Sequence, residues 1–109
     1  MIGYIKGILA DSQKLSNGRV IITVDASGVG YDMQVNPRAL SALPLVGETV
    51  KLFTHLQSRE DLQVLFGFAS RAERDVFRLL ISVSGIGPQM GMSLLDTLGL
   101  NDLIQAVVN

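Results

Sequence analysis

Two short stretches of this 109-residue chain carry residue types and spacings suited to chemistry. The first is Gly85-Ile86-Gly87-Pro88. A glycine-apolar-glycine turn lets the backbone reverse tightly, while Ile86 plugs the gap between the two helices it would join. Pro88 suits the first position of the second helix. The opening amides of such a helix lack intrahelical partners and lie at the positive end of its dipole, so the turn can hold a phosphate without a lysine. The same four residues equally fit a glycine C-cap followed by a proline start. The second stretch is Arg59-Glu60-Asp61, which reads by itself as a solvated hairpin tip.

Other polar residues point to structure. His55 is the single histidine and has no partner spaced for acid–base work, so a structural or backbone-contacting role is expected. Arg71, Arg74 and Arg78 recur at helical spacing with Asp75 among them, a stripe expected to be solvated or to meet another subunit. Met90 and Met92 are expected to pack. The absence of cysteine excludes disulfides, thiolate metal sites and cysteine nucleophiles, and fits a reducing cytosol. No glycine-rich stretch ends in Gly-Lys-Ser/Thr, so no nucleotide-binding loop is expected. Neither a catalytic residue nor a metal ligand stands out.

The elements that must position these residues follow from periodicity. Ile2 to Ala10 reads as a strand, paired through Asn17-Gly18 with the β-branched run Val20–Val24. Val29, Tyr31, Met33 and Val35 alternate with smaller or polar residues, the period of a strand with one buried face. Asn36-Pro37 predicts an N-cap and a short helical turn closed by Pro44. Thr49–Gln57 and Asp61–Phe68 read as two more strands around the tip. Five short strands with glycine-rich turns imply a small closed barrel, since closure removes exposed edges. At Ser70-Arg71-Ala72-Glu73 a capping box opens a helix carrying Val76, Phe77, Leu80 and Val83 on one face. A second helix starts at Pro88 with Met92, Leu94, Leu95 and Leu98 inward. A third starts near Asn101-Asp102 with Leu103, Ile104 and Val107. The expected fold class is mixed, β then α: a barrel over 1–69, then a helical unit over 70–109.

Apolar types make up 48% and charged types 17%, enough for a real core and too apolar for disorder. No apolar run approaches the roughly 18 residues of a membrane span, and the N-terminus lacks a secretory pattern. The net charge of −1 does not by itself suggest nucleic acid.

Leu80–Met90 has the shape of a helix-hairpin-helix element, a binder of DNA backbone without sequence preference, and it follows a barrel ending in Leu65-Phe66-Gly67-Phe68. With Met1-Ile2-Gly3, Gly28-Val29-Gly30-Tyr31, Phe53-Thr54-His55, Arg59-Glu60-Asp61 and the Arg71–Phe77 helix start, the chain resembles the RuvA family along essentially its whole length. The resemblance implies an oligonucleotide-binding-type (OB) barrel, then a helical domain with two helix-hairpin-helix elements, then a mobile domain that docks on a RuvB-type motor ATPase. It implies a homotetramer holding an open, square-planar Holliday junction, a non-catalytic role in recombinational repair, a junction-cleaving nuclease as a further partner, and the bacterial cytoplasm. No cofactor is expected in this chain, ATP and magnesium being used by the motor.

On this resemblance Gly85, Ile86, Gly87 and Gln89 would contact DNA backbone, and Glu60 and Asp61 would form the acidic pin at the junction centre. Arg59 and His55 would be candidate backbone contacts. Two departures stand out. Relatives often carry lysine where this chain has Gln89, whose amide can bond phosphate but releases no counterion. The chain also stops at Asn109, so a fragment lacking the second element and the motor-docking domain is expected. The alternative reading is an oligomerisation or interaction module with incidental nucleic-acid binding; a small hydrolase is more distant.

Overall fold

Turn chemistry decides where the chain reverses. The computed structural model describes residues 2–108, and side chains up to Gln105. Met1 of the opening motif and the side chain of Val107 lie outside the described residues. β1 (Tyr4–Lys14) runs four residues further than its apolar pattern suggests, to the Asn17-Gly18 turn, where Gly18 takes φ 87°. β2 (Val20–Ala26) passes into β3 (Val29–Val35) through Ser27 and Gly28, both at positive φ (54° and 90°). Two successive positive φ values give a hairpin whose twist matches its strands.

A short 3-10 helix (Pro37–Ala42) follows, with Asn36 at the N-cap position but making no side-chain cap bond. Its first-turn amide at Arg38 donates instead to Asp96 Oδ1, 58 positions away, at 2.9 Å. β4 (Thr49–Arg59) and β5 (Leu62–Phe68) then form the hairpin whose turn is Glu60-Asp61. The strand order is β1-β2-β3-β5-β4, and β4 pairs back on β1, so the sheet closes on itself. Every pairing is antiparallel except β3 with β5, which meet in parallel at Gln34 and Phe66. Closure brings β1 hard against β2 at Gly7, where a Cβ would overlap the Asp25 carbonyl oxygen.

The barrel is filled by inward residues such as Leu9, Ile22, Val24, Met33 and Leu52. β5 departs from simple alternation: Leu65, Phe66, Gly67 and Phe68 are all buried. Leu65 joins the barrel core, whereas Phe66 and Phe68 belong to a second core with Phe77, Leu80, Met92 and Leu95. Phe77 is completely buried, with ring centroids 5.2 Å from Phe66 and 5.0 Å from Phe68.

The helix that brings Phe77 there begins at the expected cap, with the Ser70 half of the capping box made and no bond from the Glu73 carboxylate back to Ser70 among the described residues. Ser70 Oγ accepts from the Glu73 amide at 3.2 Å, and α1 (Arg71–Ile81) follows. α2 (Pro88–Val108) consists of two helical segments joined at Gly99, whose φ of 78° and ψ of 168° are non-helical. The second segment contains the third helix expected near Asn101, and Leu103 anchors it in the second core while Ile104 faces out. No described helix is long and apolar enough to cross a membrane.

Phe77→Ala should lower stability by about 3–5 kcal/mol, because the cavity opens where strand and helices meet. Gly7→Ala should cost about 1–3 kcal/mol through the forced backbone shift. Both are read from urea midpoints; a surface-like effect of Phe77→Ala would contradict its place at the centre of the second core.

Candidate nucleic-acid interface

The turn after α1 leaves a set of free donors. α1 ends with the Val83 amide donating to Leu80, and the Ile86 amide then donates to Val83, both at 3.1 Å. The Gly91 amide donates to Gly87 at 3.0 Å and starts the ladder of α2. Between these bonds the amides of Gly85, Gly87, Gln89 and Met90 have no partner among the described residues. Gly85 takes φ 91°, and neither Gly85 nor Gly87 has any atom within 4 Å of where a Cβ would sit, so the approach to these amides is open. Ile86 behaves differently from its neighbours: its amide is used, and its half-buried side chain packs on the second core. It holds the turn in place, and the glycines and the first turn of α2 present the donors.

Gln89 was expected to offer its side chain to phosphate. In the structure that side chain is tied to Gln34 of β3 by two reciprocal amide bonds, Gln34 Nε2 to Gln89 Oε1 at 2.8 Å and Gln89 Nε2 to Gln34 Oε1 at 2.9 Å. Gln34 is buried, on the strand face that alternation assigns to solvent, because α2 covers the barrel seam at that point. The pair locks the start of α2 to the place where β3 and β5 close the sheet. At position 89 the free donor is therefore the main chain.

The arginine stripe of α1 is an internal clasp. Arg78 Nε donates to His55 Nδ1 at 3.1 Å and its Nη2 to the Thr54 carbonyl at 3.3 Å. A guanidinium can only donate, so His55 Nδ1 is unprotonated and its Nε2–H donates to Gln57 Oε1 at 3.0 Å. The imidazole also lies edge-on to Phe77, at 5.5 Å between centroids. Both ring nitrogens of His55 are thus engaged within the protein. Arg74 reaches the Gly3 carbonyl at 2.9 Å and pairs with Asp75 at 3.2 Å, while Arg71 and Arg74 both lie over the Phe53 ring.

The tip stands clear of this framework. Arg59, Glu60 and Asp61 are exposed, their side chains have no partner among the described residues, and Glu60 holds φ 32°. A cavity of about 240 Å³ joins the base of the tip, at Arg59 and Leu62, to the start of α2 at Pro88 and Gln89. One residue of each stretch singled out by spacing, Arg59 and Pro88, therefore lines one cavity, although 24 or more positions separate the stretches in the chain. Among the described residues no three metal-ligating side chains cluster.

Sequence reasoning missed Gln34, Arg38 and Asp96 as fasteners of barrel to helices. Each looks like an ordinary surface residue, and the partners lie 55 to 58 positions away. Gln34→Ala should destabilise the chain by about 1–3 kcal/mol by orphaning the half-buried Gln89 amide. Replacing both glutamines by leucine should recover most of that loss; a double-mutant cycle in urea reads the coupling.

A family model described as the RuvA N terminal domain matches residues 1–67. Curated proteins named Holliday junction branch migration complex subunit RuvA are similar over nearly the whole chain. The protein from Synechococcus elongatus is 56% identical over 108 residues, covering 99% of this chain and 52% of the relative. That from Acaryochloris marina is 54% identical over 109 residues, covering 100% and 52%. That from a Nostoc species is 50% identical over 108 residues, covering 99% and 51%. The chain spans about half the length of these relatives.

Proposed function

The chain belongs to the RuvA N-terminal domain family, and we propose that it acts as a non-catalytic subunit that binds four-way junction DNA by shape and backbone and supports branch migration by a RuvB-type ATPase. The observation that carries this reading is the row of amides at Gly85, Gly87, Gln89 and Met90 with no partner among the described residues, beside a cavity that Pro88 and Gln89 share with Arg59 and Leu62, the residues flanking the exposed acidic tip. Residues 1–69 serve as an OB-type barrel and 70–109 as a unit carrying a helix-hairpin-helix element, with β5 packed in the cores of both.

Each part has a physical task. Backbone amides at a helix start bind phosphate oxygens irrespective of base sequence, so they position DNA without reading it. Glu60 and Asp61 place carboxylates where phosphates would otherwise crowd together. In a stacked junction or a continuous duplex that proximity costs electrostatic energy, whereas an open square crossover leaves room for the tips of several subunits. Repulsion at the centre and donors along the arms together select the open four-way form. In this reading the subunit works as a homotetramer in the bacterial cytoplasm, a junction-cleaving nuclease shares the same DNA, and Arg59 touches backbone beside the pin. His55 acts through Arg78 and Gln57 to hold the barrel on α1. The chain needs no cofactor of its own; ATP and magnesium serve the motor.

A gel-shift titration tests the proposal. The chain should retard a four-way junction at lower concentration than a linear duplex of equal length. Because amides carry much of the contact, log affinity should fall with log salt at a slope of about −3 or shallower, each neutralised phosphate contributing roughly −0.9. Glu60→Gln with Asp61→Asn should raise duplex binding and narrow the preference by about threefold or more as the repulsion is removed. Equal retardation of both DNAs, unaltered by the double substitution, would overturn the junction reading.

A further inference from the structure

We propose that the cavity between the β4–β5 tip and the start of α2 binds one unstacked nucleotide of a DNA strand, with its phosphate between the Arg19 and Arg59 guanidiniums and its base against Leu62 and Val64. The proposal rests on the DNA-binding reading above and names a site within it.

The distribution of cations points to this cavity. Of the six arginines, Arg38, Arg74 and Arg78 donate to groups of the chain itself and Arg71 lies over the Phe53 ring. The side chains of Arg19 and Arg59 have no hydrogen-bond or ion-pair partner among the described residues, and both line this one cavity. They come from different hairpins, Arg19 from the β1–β2 turn and Arg59 from the end of β4, so only barrel closure brings them to a common rim. Two uncommitted forked donors facing one space suit a phosphate, which guanidinium recognises in bidentate fashion.

The remaining walls suit a base better than a bare anion. Leu62, Val64, Phe66 and Pro88 make an apolar side, and Leu62 is 63% exposed, a large apolar surface that a flat ring would cover. Gln57 and Gln89 add carboxamides held in orientation, the first by His55 and the second by Gln34. Gln57 uses only its oxygen on His55, so its Nε2 hydrogens remain available to a base edge. At about 240 Å³ the cavity is smaller than the roughly 300 Å³ where pockets for drug-sized ligands begin, a size in keeping with one base. Its position supplies the context: Arg59 and Leu62 flank Glu60 and Asp61. A nucleotide parted from its partner by the acidic tip would find cation and apolar wall immediately beside it, and its capture would hold the strands open.

The test uses NMR spectra of the whole chain titrated with a five-residue oligothymidylate, the same strand with a central abasic site, and inorganic phosphate. Oligothymidylate should shift the amides of Arg19, Gln57, Leu62 and Val64, and the abasic strand should bind about fivefold or more weakly, the low end of a base-stacking contribution. Arg19→Ala should abolish these shifts while the rest of the spectrum keeps its dispersion; Lys14→Ala, outside the cavity, should preserve them. Shifts confined to residues 85–90, or equal shifts from the abasic strand or inorganic phosphate, would overturn the proposal. A chain that retards the junction without perturbing the cavity loses only the nucleotide site. A chain that prefers no junction yet shows base-dependent shifts loses only the junction reading.

Discussion

The second half of β5, Leu65–Phe68, is buried on both faces, and much of the molecule is arranged around that fact. A strand in a small barrel ordinarily keeps one face in water, so a second buried face demands a covering layer. Here Leu65 points into the barrel while Phe66 and Phe68 meet Phe77 of α1. Burying a phenylalanine is worth about 1.5–3 kcal/mol, so the aromatic cluster is a substantial share of the stability of a small domain. It also sets direction. With Phe77 seated, α1 must cross the outer face of β4, where Arg78 meets His55 and the Thr54 carbonyl. α2 must then return over the barrel seam, and Gly91 lets it lie close to α1, a would-be Cβ standing 3.1 Å from Ile81 and 3.3 Å from the Phe77 ring.

The polar fasteners act on a framework that apolar packing has already placed. Gln34 with Gln89, Arg38 with Asp96, and Arg74 with the Gly3 carbonyl join barrel to helices at three separate points. Each is directional, and no described buried side-chain polar atom lacks a partner. Hydrogen bonds of this kind add modest net stability but penalise every alternative docking that would leave one of them unmade. The turn at residues 85–90 therefore sits at a defined place relative to the acidic tip, as the proposed DNA-binding role needs.

The charge balance acquires a meaning it lacked as a sum. A net charge of −1 argues against nucleic acid only if every cation is equally available. Several arginines are committed to contacts within the chain, whereas the exposed tip concentrates carboxylates and the helix start offers uncharged donors. Local field and donor geometry decide what the surface attracts, and the total charge is a poor proxy for either.

Local chemistry was legible from the residues themselves. Period-two alternation, the Asn17-Gly18 turn, the Ser70 cap and the Gly85–Pro88 turn each act over a few positions, so the strands, α1 and the start of α2 could be read in order, with ends displaced by a few residues. The two candidate stretches were legible for the same reason. What the chain alone could not reveal were relations between distant residues: that Gln34 is buried, that the Arg71–Arg78 stripe is a clasp, that Gln89 is already occupied, and that Arg19 shares a cavity with Arg59. Closure of the barrel and the docking of α1 and α2 on β5 decided these. A side chain's availability depends on what lies opposite it in space, and spacing along the sequence carries no information about partners that lie far along the chain.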